Sequence, residues 1–445
     1  MPVNRLLITM ALPMIISMLV QALYNIVDSV FVAMINEDAL TAVSIAFTMQ
    51  NLMIAIASGM GVGINALLSR SLGEKNFKTV HKAALNGIFV EAIGCLLFVV
   101  LGLLIIKPFY AAQAGSGENA QRIIEYGKEY LGIVMLMGFG LFAQMTFERL
   151  LQATGKTMYT MVTQGTGAII NLIFDPIFIF VFKWGIAGAA LATVLGQIVA
   201  AALALTFNLK INKEINFSVK GFRPSWFIIS QILAVGIPST IMISIGSVMT
   251  FCMNKILVVF SSTAVAVFGV YFKLNSFIFM PLFGMNNGMV PIISYNFGAK
   301  RRERVTGTIR YALIYAFSIM VIGTIIFWVF PYQLLGFFSA SEDMLKIGVP
   351  ALRIISMSFP LAAFAIVLSS VFQALGNGIY SMTVSIARQL IVLVPAAYIL
   401  ARISGFDIAK IDYVWFSYDL AEIMSIALSV FFFVRLYNKK LKHLE

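Results

Sequence analysis

The chain has 445 residues, of which 60% are hydrophobic and 11% charged, and its mean hydropathy is +0.94. A water-soluble domain carries about twice that charged fraction, so the composition excludes a soluble globule and predicts an integral membrane protein. The net charge of +12 has a topological explanation, given below, and we therefore expect no nucleic-acid partner.

Apolar stretches long enough to cross a bilayer recur twelve times. About 20 residues at 1.5 Å per residue cover the ~30 Å of hydrocarbon. The predicted spans, in chain order, are 6–34, 39–68, 83–106, 126–151, 159–182, 186–208, 228–259, 264–296, 305–330, 347–374, 380–400 and 414–436. The first span is too long for a signal-peptide core and is expected to remain as a transmembrane helix.

The basic residues set the orientation of these spans. Most of the 31 Lys and Arg residues fall in loops on one side, and such residues are retained on the cytoplasmic side. The pattern predicts a multi-pass protein with both termini in the cytoplasm, and the short loops favour a bacterial cytoplasmic (inner) membrane.

The sequence repeats itself. An offset of 225 residues places Pro13 on Pro238, Gly59 on Gly284 and Gly63 on Gly288, and an offset of 221 places residues 152–155 on 373–376. Six spans per copy is an even number, so the copies enter the membrane in the same direction as parallel repeats. We predict an N-terminal lobe at 1–209, a cytoplasmic linker at 210–224 and a C-terminal lobe at 225–445.

Two intramembrane acids belong to the first copy alone. Asp28 falls on Met253 at the offset of 225, and Asp175 falls on Val394 at the offset of 219 that pairs Pro176 with Pro395. An ionised carboxylate in hydrocarbon costs several kcal/mol unless water, a proton or a cation accompanies it. Lys128 and Arg149, near the two ends of the fourth span, are counted with the loop charges, Arg149 on the cytoplasmic side. No other Lys or Arg lies inside the first six predicted spans, so a structural ion pair within that copy lacks a partner. We interpret the two acids as functional and assign ion coupling to the N-terminal lobe.

Polar residues accompany both acids along one helix face. In the first span these are Gln21, Tyr24 and Asn25 before Asp28; in the fifth they are Gln164 and Asn171 before Asp175. Rise per residue places Asp28, Asp175 and Thr193 of the sixth span roughly 10 Å below the outer surface. Such oxygen ligands suit a small hard cation, and two adjacent carboxylates without one would share a proton.

Other charges inside the spans have simpler interpretations. Arg388 and Glu422 both lie near mid-membrane, which predicts a structural salt bridge. Lys273 either contacts substrate or pairs with an acid, and Glu91 has no assigned role. No spacing of His, Cys, Asp or Glu indicates a metal centre beyond a Na⁺ at the acid pair.

Several segments resemble the multidrug and toxic compound extrusion (MATE) transporters, and most closely the MepA-like bacterial branch. They are residues 21–28 (QALYNIVD), 59–63 (GMGVG), 69–73 (SRSLG), 171–176 (NLIFDP), 185–193 (GIAGAALAT) and 291–300 (PIISYNFGAK). The resemblance covers nearly the whole chain, and the motifs are specific in combination.

The resemblance implies two six-helix lobes forming a V around a central cavity, and export of lipophilic, often cationic compounds in exchange for Na⁺ or H⁺. In the branch with its cation site in the N-terminal lobe, the matching residues here are Asp28, Asn171, Asp175 and Thr193, with Tyr24 one turn before the first acid. Another branch uses a C-terminal carboxylate, but the seventh predicted span offers only Lys255. We assign Gln21, Asn25, Gln164 and Lys273 to the substrate cavity.

The main hypothesis is therefore a cation-coupled antiporter that acts as a monomer, with small lipophilic or cationic substrates and membrane lipid as its partners and no cofactor except the coupling ion. A flippase for a lipid-linked saccharide is the alternative; it would need a large cationic cavity, to which Lys273, Arg353 and Arg388 could contribute. An enzyme is not expected, because no nucleophile–base pair or phosphate loop is present.

Overall fold

The computed structural model describes residues 1–113, 119–338 and 340–444, and within these ranges the chain is helical without a β-strand. The helices are α1 (Val3–Ala33), α2 (Glu37–Gly73), α3 (Phe77–Gln113), α4 (Ala120–Leu136), α5 (Phe139–Ala153), α6 (Thr157–Pro176), α7 (Gly185–Ile211), α8 (Trp226–Leu257), α9 (Ser262–Gly298), α10 (Arg302–Val329), α11 (Pro331–Gly336), α12 (Glu342–Met357), α13 (Phe359–Ala374), α14 (Gly378–Ile386), α15 (Val394–Ile403) and α16 (Asp412–Leu436). Wider π-helical turns occupy Ile177–Val181, Ala387–Leu393 and Tyr437–Leu441.

The predicted all-α membrane architecture is confirmed. In the described part of the chain, 10 helical segments are long and apolar enough to cross a membrane, and two bent helix pairs bring the number to 12 if each pair is one span. Each of the twelve predicted spans coincides with one of these segments or pairs.

The two bent pairs are the fourth span of each repeat. Helices α4 and α5 meet at 42°, and helices α12 and α13 meet at 47°. Gly138 stands at the first bend, where a Cβ would lie 2.8 Å from Met53 Cε. At the second bend Pro360 lies in the first turn of α13, where its missing N–H costs no helical hydrogen bond. The sequence patterns predicted unbroken spans, because both halves of each pair are apolar.

The fifth span of each repeat widens instead of bending. Helix α6 ends at Pro176, and the chain continues through the π-helical turn Ile177–Val181. Proline removes one backbone donor, and a wider turn is one way to accommodate the loss. The turn directly follows Asp175, so the irregular backbone lies beside the candidate site.

The chain forms two compact units, Ile16–Thr240 and Met1–Ile15 with Ile241–Glu445. The divisions fall inside α1 and α8, not in the linker 210–224. The predicted lobes follow the sequence repeat. In the compact units, by contrast, the first half of α1 is grouped with residues 241–445, and the first half of α8 is grouped with residues 16–225.

Glycines explain how closely these half-helices pack. In the unit Ile16–Thr240, a Cβ on Gly63 of α2 would lie 2.2 Å from the carbonyl oxygen of Ile232, and one on Gly59 would lie 2.2 Å from Thr240 Oγ1. Real Cβ contacts are never this short, so only glycine permits the approach of α2 to the first half of α8.

The other unit repeats the contact. A Cβ on Gly288 of α9 would lie 2.8 Å from Ala11 Cα, and one on Gly284 would lie 2.6 Å from Ile15 Cα. These glycines are the partners of Gly63 and Gly59 in the sequence repeat. The repeated glycines therefore mark one helix contact that is made once in each unit.

The linker 210–224 belongs to the unit Ile16–Thr240 and contacts other residues of that unit. Lys156 Nζ lies 2.6 Å from Glu214 Oε2, and the backbone N–H of Asn216 donates to His81 Nδ1 at 3.0 Å. Partial burial raises the pKa of Glu214, but the hydrogen bond from Lys156, a bond from its own backbone amide and the positive charge of Lys156 bring that pKa below its ordinary value.

This pair predicts a small pH-dependent contribution to stability. Because the pKa of Glu214 is lower in the folded chain than in the unfolded chain, the stabilisation is present at neutral pH and is lost as the pH falls through the folded-state pKa. We expect Glu214→Gln to cost less than about 1 kcal/mol at neutral pH, since the pair is partly exposed, and nothing in acid. Thermal unfolding of both proteins at the two pH values measures this, and an equal deficit at both contradicts it.

Candidate functional site

The structure brings Asp28 and Asp175 together. Asp175 is 0% exposed at the end of α6, and Asp28 lies half-buried in the second half of α1. Their carboxyl groups are close enough to share a hydrogen bond when one of them carries a proton. Asp28 Oδ1 is buried without a hydrogen-bond partner among the described residues. Two adjacent buried carboxylates repel each other, so the site favours a proton or cation between them.

Asn171 and Thr193 complete the group that was predicted from the sequence. With its amide oriented by the hydrogen-bond network, Asn171 Nδ2 donates to Asp175 Oδ2 at 3.1 Å, and Asn171 Oδ1 accepts from Thr193 Oγ1 at 3.3 Å. Turned by half a rotation about its last bond, the same amide would present its oxygen to the acid side, as a ligand of a cation would. The residues present therefore fit either a shared proton or a small hard cation.

Small residues allow this contact between α6 and α7. A Cβ on Gly196 would lie 2.6 Å from the carbonyl oxygen of Gly167, and one on Gly188 would lie 2.8 Å from the backbone carbon of Phe178. Close backbone approach at glycine is typical of membrane helix pairs. It brings Thr193, one helix away, within hydrogen-bonding distance of Asn171.

Two tyrosines stand near the acids. Tyr24, predicted from its position one turn before Asp28, interacts electrostatically with both Asp28 and Asp175. Tyr130 of α4 does the same, and its hydroxyl accepts from Gln50 Nε2 at 3.3 Å. Tyr130 was not predicted, because a tyrosine near a span end resembles an ordinary interfacial anchor.

A cavity of about 70 Å³ lies inside the unit Ile16–Thr240 and is bordered by Tyr24, Asn171 and Thr193 of the site. Its polar lining includes Gln21, Tyr24, Gln144, Gln164, Asn171 and Thr193. This volume accommodates several water molecules. Gln21 and Gln164, which we assigned to the substrate cavity, both line this cavity, which has room for a few water molecules.

The other two residues of that assignment lie elsewhere. Asn25 is exposed, and Lys273 is exposed with its Nζ 5.9 Å from the ring centre of Phe338. Neither lines this cavity, and neither do Arg353 and Arg388, which a pyrophosphate-binding flippase cavity would use.

One sequence interpretation was wrong. Arg149, near the end of the fourth predicted span, was counted with the cytoplasmic loop charges, but in α5 it is only 6% exposed. Its guanidinium donates to Gln152 Oε1 and Ser58 Oγ, both at 3.0 Å, and it attracts Glu148 and Glu91. Gly61 leaves room for it, since a Cβ there would lie 2.7 Å from Arg149 Cγ. The first repeat therefore does contain a buried base, although no ion pair among the described residues joins it to Asp28 or Asp175.

Glu148 is a buried acid that the sequence patterns missed. It is 1% exposed, next to Arg149 in α5. Glu148 lies three residues from the end of a predicted span, where a charged side chain usually reaches water at the membrane surface. Such a charge does not have to be transferred into hydrocarbon, so it gives no signal in the sequence. A charge in the middle of a span, such as Asp175, gives a signal that a charge near its end does not.

The predicted pair of Arg388 and Glu422 is also brought together. Arg388 Nη1 lies 3.0 Å from Glu422 Oε1, and Glu422 is 6% exposed. Asp419, one turn earlier on α16, has an oxygen without a hydrogen-bond partner among the described residues. Among all the residues that the structure describes, no group of three or more His, Cys, Asp and Glu side chains could hold a metal ion.

A bundle of repeated apolar spans with a buried acid pair in one repeat defines a membrane transporter. The chain belongs to the MATE family: the family model described as MatE matches residues 13–177 and 238–399. The two matches fall on the two sequence repeats.

The matched curated relatives support the MepA-like branch. The multidrug export protein MepA of Staphylococcus haemolyticus (strain JCSC1435) is 25% identical over 430 residues, which cover 96% of this chain and 93% of that protein. MepA of Staphylococcus aureus (strain MSSA476) is 24% identical over 408 residues, covering 91% and 88%.

Solved structures share the fold. A multidrug resistance MATE family transporter in an outward-facing conformation matches with a TM-score of 0.92 at 24% identity, covering 99% of this chain and 97% of that one. A variant of the Vibrio cholerae MATE transporter VcmN matches with a TM-score of 0.89 at 21% identity, covering 99% and 98%.

Proposed function

We propose that this protein exports lipophilic, often cationic compounds across the cytoplasmic membrane in exchange for H⁺ or Na⁺, by alternating access. The observation that carries the proposal is the contact between the buried Asp175 and the half-buried Asp28, neither of which has a basic partner among the described ion pairs. The similarity to proteins named multidrug export proteins supports the substrate class.

The residues of the site have complementary roles in this proposal. Asp28 and Asp175 supply the negative charge that attracts the coupling ion. Asn171 and Thr193 supply neutral oxygens, and Tyr24 borders both the acids and the cavity. Binding of the ion removes the repulsion between the carboxylates, which stabilises whichever conformation holds them closest.

Exchange follows when the ion and the exported compound favour different conformations. Each ligand shifts the equilibrium only by its difference in affinity for the two states. Because this coupling is reciprocal for binding, an ion that lowers the affinity for the compound is itself displaced by that compound. The free energy of the ion gradient can then drive extrusion.

Proteoliposomes with separately imposed gradients test the proposal. We expect a pH gradient or a Na⁺ gradient alone to drive movement of a cationic dye in the direction opposite to the ion. An ionophore that collapses the gradient should stop the movement, and liposomes without protein provide the blank. Dye movement that ignores both gradients would contradict an ion-coupled exporter.

A further inference from the structure

Glu148 is held by neutral hydrogen-bond donors at one end of the cavity. Its carboxylate accepts from Gln164 Nε2 at 2.7 Å, from Gln144 Nε2 at 3.0 Å and from Thr163 Oγ1 at 3.0 Å. These contacts supply N–H and O–H groups, not the several oxygen ligands that a metal cation needs. A proton, in contrast, needs only one carboxylate oxygen.

The cavity lies between the residues that contact Glu148 and those that contact Asp175, along one face of α6. Gln164, Ala168, Asn171 and Asp175 follow one another at intervals of three or four residues, and the first three line the cavity. Eleven residues separate Gln164 from Asp175, which is about 16 Å along the helix. Glu148 and the acid pair therefore lie beyond opposite ends of a cavity that accommodates water.

Gln164 has an unused acceptor beside Glu148. Its Oε1 is buried without a hydrogen-bond partner among the described residues, while its Nε2 donates to the carboxylate. If Glu148 takes up a proton, its new O–H needs an acceptor, and a half-turn of the Gln164 amide provides one. Gln164 lines the cavity, so this rotation takes place between Glu148 and the cavity.

The charged neighbours of Glu148 are on its own helix and on α3. The positive charge of the adjacent Arg149 stabilises the ionised form of Glu148. The same guanidinium also attracts Glu91. Glu91 is 2% exposed, and neither of its oxygens accepts a hydrogen bond among the described residues. One buried guanidinium thus lies among two buried acids, so the region can take up a proton without acquiring a large net charge.

We propose that Glu148 is a second proton-binding group of this unit, which exchanges protons with the Asp28–Asp175 pair through the cavity, with Gln164 as the positioning residue that accepts from the protonated form. A proton released by the Asp28–Asp175 pair passes to cavity water as hydronium, which gives it to a carboxylate oxygen of Glu148 and is left as neutral water. This inference depends on the proposed function in the form in which the coupling ion is H⁺.

Infrared difference spectroscopy of the full-length protein in lipid measures protonation directly. A pH step should produce a carboxyl C=O band that is absent from Glu148→Gln and displaced in Glu148→Asp. Glu129→Gln is the matched control, because Glu129 is exposed on α4, and it should leave that band unchanged. A spectrum of Glu148→Gln that retains every buried carboxyl band overturns the proposal. If this variant does not fold, Glu148→Asp decides in the same way.

Transport separates this inference from the proposed function. We expect Glu148→Gln to slow dye movement driven by a pH gradient by about tenfold or more, while dye binding at equilibrium is retained. Gln164→Leu, which removes the acceptor, should displace the Glu148 band; an unaltered band overturns its positioning role.

The possible outcomes are distinguishable. Wild-type transport rates in Glu148→Gln, together with loss of transport in Asp28→Asn, would overturn the role of Glu148 and leave the proposed function intact. Transport driven by Na⁺ alone would have the same consequence. Wild-type transport in both variants would contradict the inference and the proposed function together.

Discussion

Cells that carry the Asp28→Asn or Asp175→Asn variant should lose dye extrusion. The substitution keeps the size of the side chain but removes its negative charge, so the remaining carboxylate no longer has a neighbour that repels it. The ion then gains little by binding, and the coupling between ion and compound disappears. Because coupling energies correspond to about 5- to 150-fold in affinity, we expect at least a tenfold fall in the rate of extrusion at normal expression.

The control for these variants is Asp343→Asn. Asp343 lies at the surface and pairs with Lys346 at 3.1 Å, with 77% of its side chain exposed. It undergoes the same chemical change without touching the candidate site, and extrusion should remain normal. Unimpaired extrusion in both Asp28→Asn and Asp175→Asn, at wild-type protein levels in the membrane, would contradict the coupling role of the pair.

The second large effect concerns folding. Gly63→Ala should sharply reduce the yield of folded protein, because the new methyl group would lie 2.2 Å from the carbonyl oxygen of Ile232. Backbone atoms on both helices prevent relief by a side-chain rotation. Overpacking costs about 1–3 kcal/mol where side chains can adjust, and here we expect a cost of at least about 3 kcal/mol on the same scale. Gly288→Ala, the repeat-related change, should behave similarly.

Gly165→Ala on α6 provides the comparison, since a Cβ at that position meets nothing within 4 Å. Thermal unfolding followed by size-exclusion chromatography of the membrane extract measures all three variants. Equal stability of Gly63→Ala and Gly165→Ala would show that the close approach of α2 to α8 is not needed for folding.

Asymmetry between the repeats explains why we place coupling in one unit. Met253, which the repeat aligns with Asp28, is 0% exposed within the main apolar core of its unit. Val394, aligned with Asp175, packs against the same core. The second repeat thus uses apolar packing at the positions where the first repeat has acids. Its own buried charges, Arg388 and Glu422, neutralise each other.

The sequence predicted the features that the bilayer enforces. The lengths of the apolar stretches predicted twelve spans. The cost of placing a charge in the middle of an apolar stretch identified the acid pair. Depth grouped Asp28, Asp175 and Thr193, and Asn171 was added because it lies on the same helix face as Asp175. The structure brings these residues together. Depth estimates worked because rise per residue is nearly constant along a helix.

Features that depend on tertiary contacts were not predictable in this way. Hydropathy does not detect a bend at Gly138, because both flanking segments are equally apolar. The boundaries between the compact units, after Ile15 and after Thr240, fall inside uninterrupted helices and leave no local pattern in the sequence. Glu148 and Arg149 lie near a span end, where charges usually reach water, so nothing in the sequence distinguished them from interfacial residues.

Ion release on dye binding tests whether the acid pair couples the dye to the ion. The purified protein, in weakly buffered detergent solution with pH and Na⁺ monitored, is titrated with a cationic dye. We expect wild-type protein to release H⁺ or Na⁺ in proportion to the dye bound, and Asp28→Asn to release none. Dye binding by the wild type without ion release, or equal release from the variant, would contradict coupling at the acid pair.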